Sequence, residues 1–123
     1  MPLEPIRDPR LTPGHLPYSH VVKAGSLYFI SGQASLDEKG DYVEDTFAGE
    51  MHRSLGNLKN VLAVVGLDLS HVAQVRSYVG KEECVEEYNR IYRAYFREPY
   101  PARTTLVDCL GDLKFEIDAI AVG

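Results

Sequence analysis

From Phe47 to Val65 the apolar residues Phe47, Met51, Leu55, Leu58, Leu62 and Val65 recur at steps of four, four, three, four and three. That spacing is one face of an α-helix, and a helix apolar on one face has to lie on another layer. Thr46 or Asp45 can cap its start, Glu50 suits its first turns, and Gly66 stands where a glycine ends a helix. Glu50, His52, Arg53, Asn57, Lys59 and Asn60 take the opposite face in this reading. A second amphipathic helix is expected from about Glu82 to Arg97, with Val85, Tyr88, Ile91, Tyr92 and Tyr95 at helical spacing. Pro99 and Pro101 stop it.

The other layer is read from the segments between. Val21 and Val22, then Leu27 to Ile30, flank a turn at Ala24-Gly25, and Ser31-Gly32-Gln33 ends the second strand. Val72 to Val79 is a strand with Val75 and Val79 on one face. Thr104 to Leu110 and Leu113 to Val122 are two more, joined at Gly111-Asp112, and the last alternates Phe115, Ile117, Ala119 and Ala121 against Glu116, Asp118, Ile120 and Val122. The order β-β-α-β-α-β-β, with hairpins at both ends, predicts an α+β two-layer sandwich: a mixed sheet with two helices packed on one face. Pro2, Pro5, Pro9, Pro13, Gly14 and Pro17 make residues 1–17 an extended arm, and the 123 residues are expected to form one domain. The strands are apolar on both faces, so the face without helices is an association surface and a homo-oligomer is expected.

The net charge of −5 offers no footprint for nucleic acid or for anionic lipid. No apolar run has the roughly 20 residues of a membrane helix, and the Pro-rich start has no signal-peptide core. Cys84 and Cys109 form no CxxC pair and are expected as reduced, mostly buried thiols of a cytoplasmic protein. His15, His20, His52 and His71 show no metal-ligand spacing, so no metal is expected.

Chemistry is left to a few side chains. Arg103 opens a strand straight after Pro-Tyr-Pro-Ala, a stiff mount for a guanidinium that suits a carboxylate bidentately; a solvated edge arginine would look the same. Glu116 lies in an apolar strand, where a pocket would raise its pKa and make it a base towards water, and solvent or a pairing with Lys114 or Arg103 would not. Asp118, two residues on, competes for that role. Tyr18 can close a pocket or simply pack, Ser31-Gly32 can expose backbone to a ligand or simply turn, and Asn89 is a mediocre helix former in mid-helix. Cys109 has nothing nearby in sequence to activate it.

Together these residues resemble the Rid family of RidA/YjgF-like reactive enamine/imine deaminases. The resemblance rests on Pro17-Tyr18-Ser19 before a hairpin, Ser31-Gly32-Gln33, Asn57 to Leu62 before Val65-Gly66-Leu67, and Tyr88-Asn89 through Tyr95-Phe96. It rests most on Tyr100-Pro101-Ala102-Arg103 and on Glu116-Ile117-Asp118-Ala119-Ile120-Ala121, and it runs from about Leu16 to Val122. The resemblance implies a chorismate-mutase-like fold, a homotrimer with pockets between subunits, and hydrolysis of 2-enamines and 2-imines to 2-keto acids and ammonia without a cofactor. By position, it implies that Arg103 grips the substrate carboxylate and Glu116 activates water. Tyr18, Ser31, Gly32 and Asn89 match pocket positions, and Thr105 one whose backbone N–H faces the ligand. Leu16 stands where the best-known members have glycine, Thr105 where many have cysteine, and the Gly111-Asp112 turn is short; these bear on the substrate side chain. A trimer that binds a small carboxylate without catalysis is the alternative, using Arg103 but not Glu116. The RNA cleavage sometimes attributed to relatives fits an acidic chain poorly.

Overall fold

The computed structural model describes residues 2–11 and 16–123, so Pro13, Gly14 and His15 lie outside the described residues. Six strands and two helices follow in the order β1 (Glu4–Pro5), β2 (Val21–Ala24), β3 (Leu27–Ala34), α1 (Phe47–Val64), β4 (Val72–Val79), α2 (Val85–Tyr95), β5 (Ala102–Val107) and β6 (Phe115–Val122). They form one mixed sheet in the order β1-β2-β3-β6-β4-β5, with both helices on one face. Near the start of the chain Glu4–Pro5 pairs with β2 as a short edge strand, and the Leu11 N–H closes a turn on the Asp8 carbonyl at 3.0 Å.

The first helix forms as its sequence dictates. Thr46 caps it, its hydroxyl accepting from the Gly49 N–H at 3.1 Å, and Gly66 leaves it at a φ of 76° that favours glycine. Met51, Leu55, Leu58 and Leu62 are fully buried against the sheet, where Ile30, Val75, Phe115, Ile117 and Ala121 meet them. Each buried side chain of this size contributes about 1.5–3 kcal/mol, so this seam is the main source of stability.

Four expectations need correction. The C-terminal strands do not form a hairpin: β6 lies between β3 and β4, antiparallel to both, while β5 pairs parallel with β4 through the α2 crossover. The second helix is shorter than its pattern, with a separate helical turn at Glu82–Cys84 and an extended Phe96 after Tyr95. Cys84 is half-buried and Cys109 is exposed, because Cys109 follows Asp108, which turns the chain away from β5 at a φ of 59°.

The opposite face of α1 is not simply solvated either. Glu50 is completely buried, one turn from both Phe47 and Ser54 and so at the margin of the core-facing arc. Its carboxylate accepts from the Tyr42 hydroxyl at 2.6 Å, from the Lys114 and Asp45 N–H groups at 3.1 and 3.2 Å, and from Lys114 Nζ at 3.3 Å. Burial alone would raise its pKa, but the hydrogen bonds from Tyr42, Lys114 and Asp45 outweigh it and hold the carboxyl below the usual range. Asn57 also reaches inward, donating to the carbonyls of Ala34 and Leu36 at 3.0 Å each, and so fixes the end of β3.

Candidate active site

Arg103 is the second residue of β5, delivered by Tyr100-Pro101-Ala102 after a cis Glu98–Pro99 bond. It is registered with the buried Val75 of β4, so its side chain leaves on the helix side of the sheet. There the guanidinium carbon lies 4.9 Å from the ring centroid of Tyr88 and 4.8 Å from that of Tyr92. Asn89, Tyr92, Arg93, Tyr100 and Pro101 join it around a cleft of about 270 Å³. Thr105 faces the same side, its Oγ1 3.1 Å from the Tyr88 hydroxyl. Among the described residues no hydrogen bond or ion pair engages the Arg103 guanidinium, so its donors are open to a ligand.

Glu116 lies on the other face. Its neighbours Phe115 and Ile117 are buried under the helices, so the alternation of β6 turns Glu116 away from them. It is registered with Ala34 on one side and Tyr78 on the other. Across from it β3 bulges: Ile30 pairs with Ala119 and Gln33 with Ile117, so Ser31 and Gly32 together oppose Asp118. The bulge brings Gly32 against the Glu116 carboxylate. A Cβ at Gly32 would stand 2.7 Å from Glu116 Oε2, so only glycine leaves this carboxylate its place.

Burial pushes the Glu116 carboxyl above the ordinary glutamate range, and the charge of Asp118 adds to it. Asp118, the competing acid, is itself occupied: it accepts from Arg76 Nε at 2.9 Å and from the Tyr78 hydroxyl at 2.8 Å. Glu116 has no hydrogen-bonding partner among the described residues. Ser31 Oγ donates to the Ser19 carbonyl at 2.6 Å, which ties the bulge to the segment carrying Tyr18. Tyr18 is itself half-exposed, its ring edge-on to His20 at 5.5 Å, and it lines a concavity of about 850 Å³ beside α1.

The residues expected from the sequence to form a site thus fall into two sets. Asn89, Arg103 and Thr105 share the helix side near the β5 edge; Ser31, Gly32 and Glu116 gather at the β3–β6 bulge, with Tyr18 tied to them through Ser19. Arg103 and Glu116 do not meet within one chain. Their partners on β4, Val75 and Tyr78, are three residues apart, about 10 Å along the strand, and the side chains leave opposite faces. Sequence reasoning read Tyr88 and Tyr92 only as core positions and missed that both support Arg103; the cue was that both are tyrosines four residues apart. Among the described residues no cluster of three or more His, Cys, Asp or Glu could hold a metal ion, and no helix is long and apolar enough to cross a membrane.

This fold and arrangement define an α+β protein of two helices on a mixed six-stranded sheet. The model of a family described as "Endoribonuclease L-PSP" matches residues 11–123. A RutC family protein of Pyrococcus horikoshii is 36% identical over 108 residues, covering 85% of this chain and 86% of that one. The chloroplastic Reactive Intermediate Deaminase A of Arabidopsis thaliana is 33% identical over 108 residues, 85% of this chain and 58% of that one. The crystal structure of E. coli TdcF with bound serine superposes with a TM-score of 0.83 at 28% identity, covering 98% of each chain. The chain belongs to this family, the Rid family that its motifs resemble.

Proposed function

We propose that the chain hydrolyses reactive 2-enamines and 2-imines, of the 2-aminoacrylate/2-iminopropanoate type, to 2-keto acids and ammonia, and so protects pyridoxal-phosphate enzymes. It does so in the cytoplasm, as a homotrimer with its sites between subunits. The observation that carries this reading is the state of two side chains. Among the described residues nothing takes an Arg103 donor, Glu116 is a partly desolvated carboxyl with a raised pKa, and the two sit on opposite faces of the sheet. A site that uses both takes them from two copies. The helix-free face carries Leu27, Phe29, Leu106 and Val122, each between 38% and 42% exposed, which is the apolar surface a second copy would cover. The name of the Arabidopsis relative and the serine bound by TdcF support a small ligand bearing amino and carboxylate groups.

The chemistry asks little of the protein. Arg103 holds the carboxylate through two charge-assisted hydrogen bonds, each worth about 1.5–3 kcal/mol. With the imine nitrogen protonated, C2 is electrophilic, and water adds to it as Glu116 takes the water proton. Glu116 then returns that proton to the nitrogen. The C–N bond of the carbinolamine breaks, its electrons leave with ammonia, and the hydroxyl oxygen becomes the keto oxygen as it loses its proton. A carboxyl raised by burial is a better proton acceptor than an ordinary glutamate. Tyr18, Ser31, Gly32 and Asn89 shape the pocket, and the Thr105 backbone N–H faces the ligand.

The endoribonuclease description of the family finds no support in the charge of this chain, −5 overall. The test is a coupled assay in which an amino-acid oxidase generates 2-iminopropanoate and semicarbazide traps what remains. Wild type should deplete the imine and Arg103→Ala should not. If wild type leaves every imine tried untouched while binding keto acids, the protein is a carboxylate binder and the deaminase reading is wrong. Glu116→Ala separates the two: it removes catalysis but would leave a binder intact.

A further inference from the structure

Arg103 is held in an unusual way for an arginine near a sheet edge. No carboxylate pairs with it among the described residues; instead it rests on two aromatic rings. The two ring centroids are 5.8 Å apart and tilted by 59°, and the guanidinium carbon is 4.9 and 4.8 Å from them. The cation therefore sits over the corner where the rings meet rather than sandwiched between them, which leaves its outer side open.

We propose that Tyr88 and Tyr92 form an aromatic corner that fixes the Arg103 guanidinium and leaves its N–H edge open for a planar carboxylate ligand, which makes both tyrosines positioning residues for anion capture. The inference rests on the reading of Arg103 as the carboxylate holder. An acidic partner would fix the guanidinium too, but only by consuming the donors the ligand needs. A ring face attracts the cation through its quadrupole and consumes none.

The corner is itself anchored. Tyr88 is completely buried, its hydroxyl on Thr105 Oγ1 and its ring 5.9 Å from that of Phe115. Tyr92 stacks on Phe96 with centroids 4.4 Å apart and planes 23° from parallel. The Tyr92 hydroxyl is buried without a hydrogen-bonding partner among the described residues, so it is the ring of Tyr92, not its polar tip, that acts here. Burial keeps that hydroxyl protonated, its pKa pushed up to about 12, so the ring stays neutral beneath the cation.

The test uses the full chain in its native assembly, with 2-oxobutanoate as the probe in calorimetry and 2-iminobutanoate in kinetics. Tyr92→Phe should bind within about twofold of wild type, and Tyr92→Leu about tenfold more weakly, with KM raised by a similar factor and kcat little changed. Because Leu at a core position can disturb folding, a second series fills position 92 with phenylalanine and then with its increasingly fluorinated forms. Fluorine drains the ring face without changing its shape much, so affinity should fall stepwise while the melting temperature holds. Flat affinity across that series, with Arg103→Ala still abolishing binding, overturns the corner and leaves the Arg103 reading standing. If Arg103→Ala binds the keto acid like wild type, the carboxylate role and the corner fall together.

Discussion

Glu50 and Arg103 are both charged groups set against the core, and they are held in opposite ways. Glu50 is completely buried and spends its carboxylate on Tyr42, Asp45 and Lys114, pinning the start of α1 to the start of β6. Arg103 is exposed, rests on two rings and spends no donor on any of the described residues. The same contrast separates Asp118, occupied by Arg76 and Tyr78, from Glu116, which has no such partner among the described residues. Saturation is the distinguishing property: a charge whose hydrogen-bonding capacity is filled holds the scaffold, and one whose capacity is open is available to a ligand.

Substitutions can break this contrast. The largest effect is expected at Glu116: Glu116→Gln should lower kcat by about 10²–10⁴, read in the imine assay. Because burial raises the carboxyl, ionisation of Glu116 works against folding, so the same variant should unfold no earlier than wild type near neutral pH. In wild type, kcat/KM should fall as pH drops through a value above the ordinary glutamate range, and Asp118→Asn should shift that fall to lower pH. A variant that loses stability along with activity would place Glu116 among the scaffold charges.

Glu50→Ala should do the reverse and cost about 3 kcal/mol of stability in denaturant unfolding, since it removes the buried carboxylate that joins the Tyr42 hydroxyl, the Asp45 and Lys114 N–H groups and the Lys114 ammonium. The folded carboxyl titrates below its unfolded value, so its contribution is full above the ordinary glutamate pKa and is lost as pH falls through the depressed one. The difference between wild type and Glu50→Ala should therefore shrink in acid. Tyr42→Phe removes one charged hydrogen bond and should cost about 1.5 kcal/mol at neutral pH by the same measurement. The smallest effect belongs to Gly32→Ala, about tenfold in kcat with the KM little changed. Its Cβ moves the Glu116 carboxylate and touches none of the core. Unchanged turnover there would show that the placement of Glu116 is loose.

What could be read from the chain alone follows from the range of the interactions. The α1 stripe, the Thr46 cap, the Gly66 exit and the turn at Gly25 are local, and each stands in the structure as its residues dictate. The insertion of β6 between β3 and β4 is not local, because strands distant in sequence chose each other over the neighbour across a short turn. Glu50 was legible in principle, since its spacing from Phe47 and Ser54 places it beside the core. Its charge argued for solvent, and the partners that hold it inside, Tyr42 and Asp45 from the loop before the helix and Lys114 from 64 residues on, are not visible in the helical spacing. The pairing of Arg103 with an aromatic corner depends on α2 crossing beside β5, a tertiary fact that no spacing within Pro-Ala-Arg reveals.

The two rims of the sheet have a consequence of their own. One rim is β1, a two-residue strand whose Pro5 offers no N–H; the other is β5, which begins after Pro101 and is turned aside by Asp108 after six residues. An unprotected strand edge invites other chains to add themselves in register and grow into ribbons. Here a stray strand would find few free donors and acceptors to zip onto. The fold can keep a broad apolar face and a mixed sheet in one small molecule while denying aggregation its usual starting point.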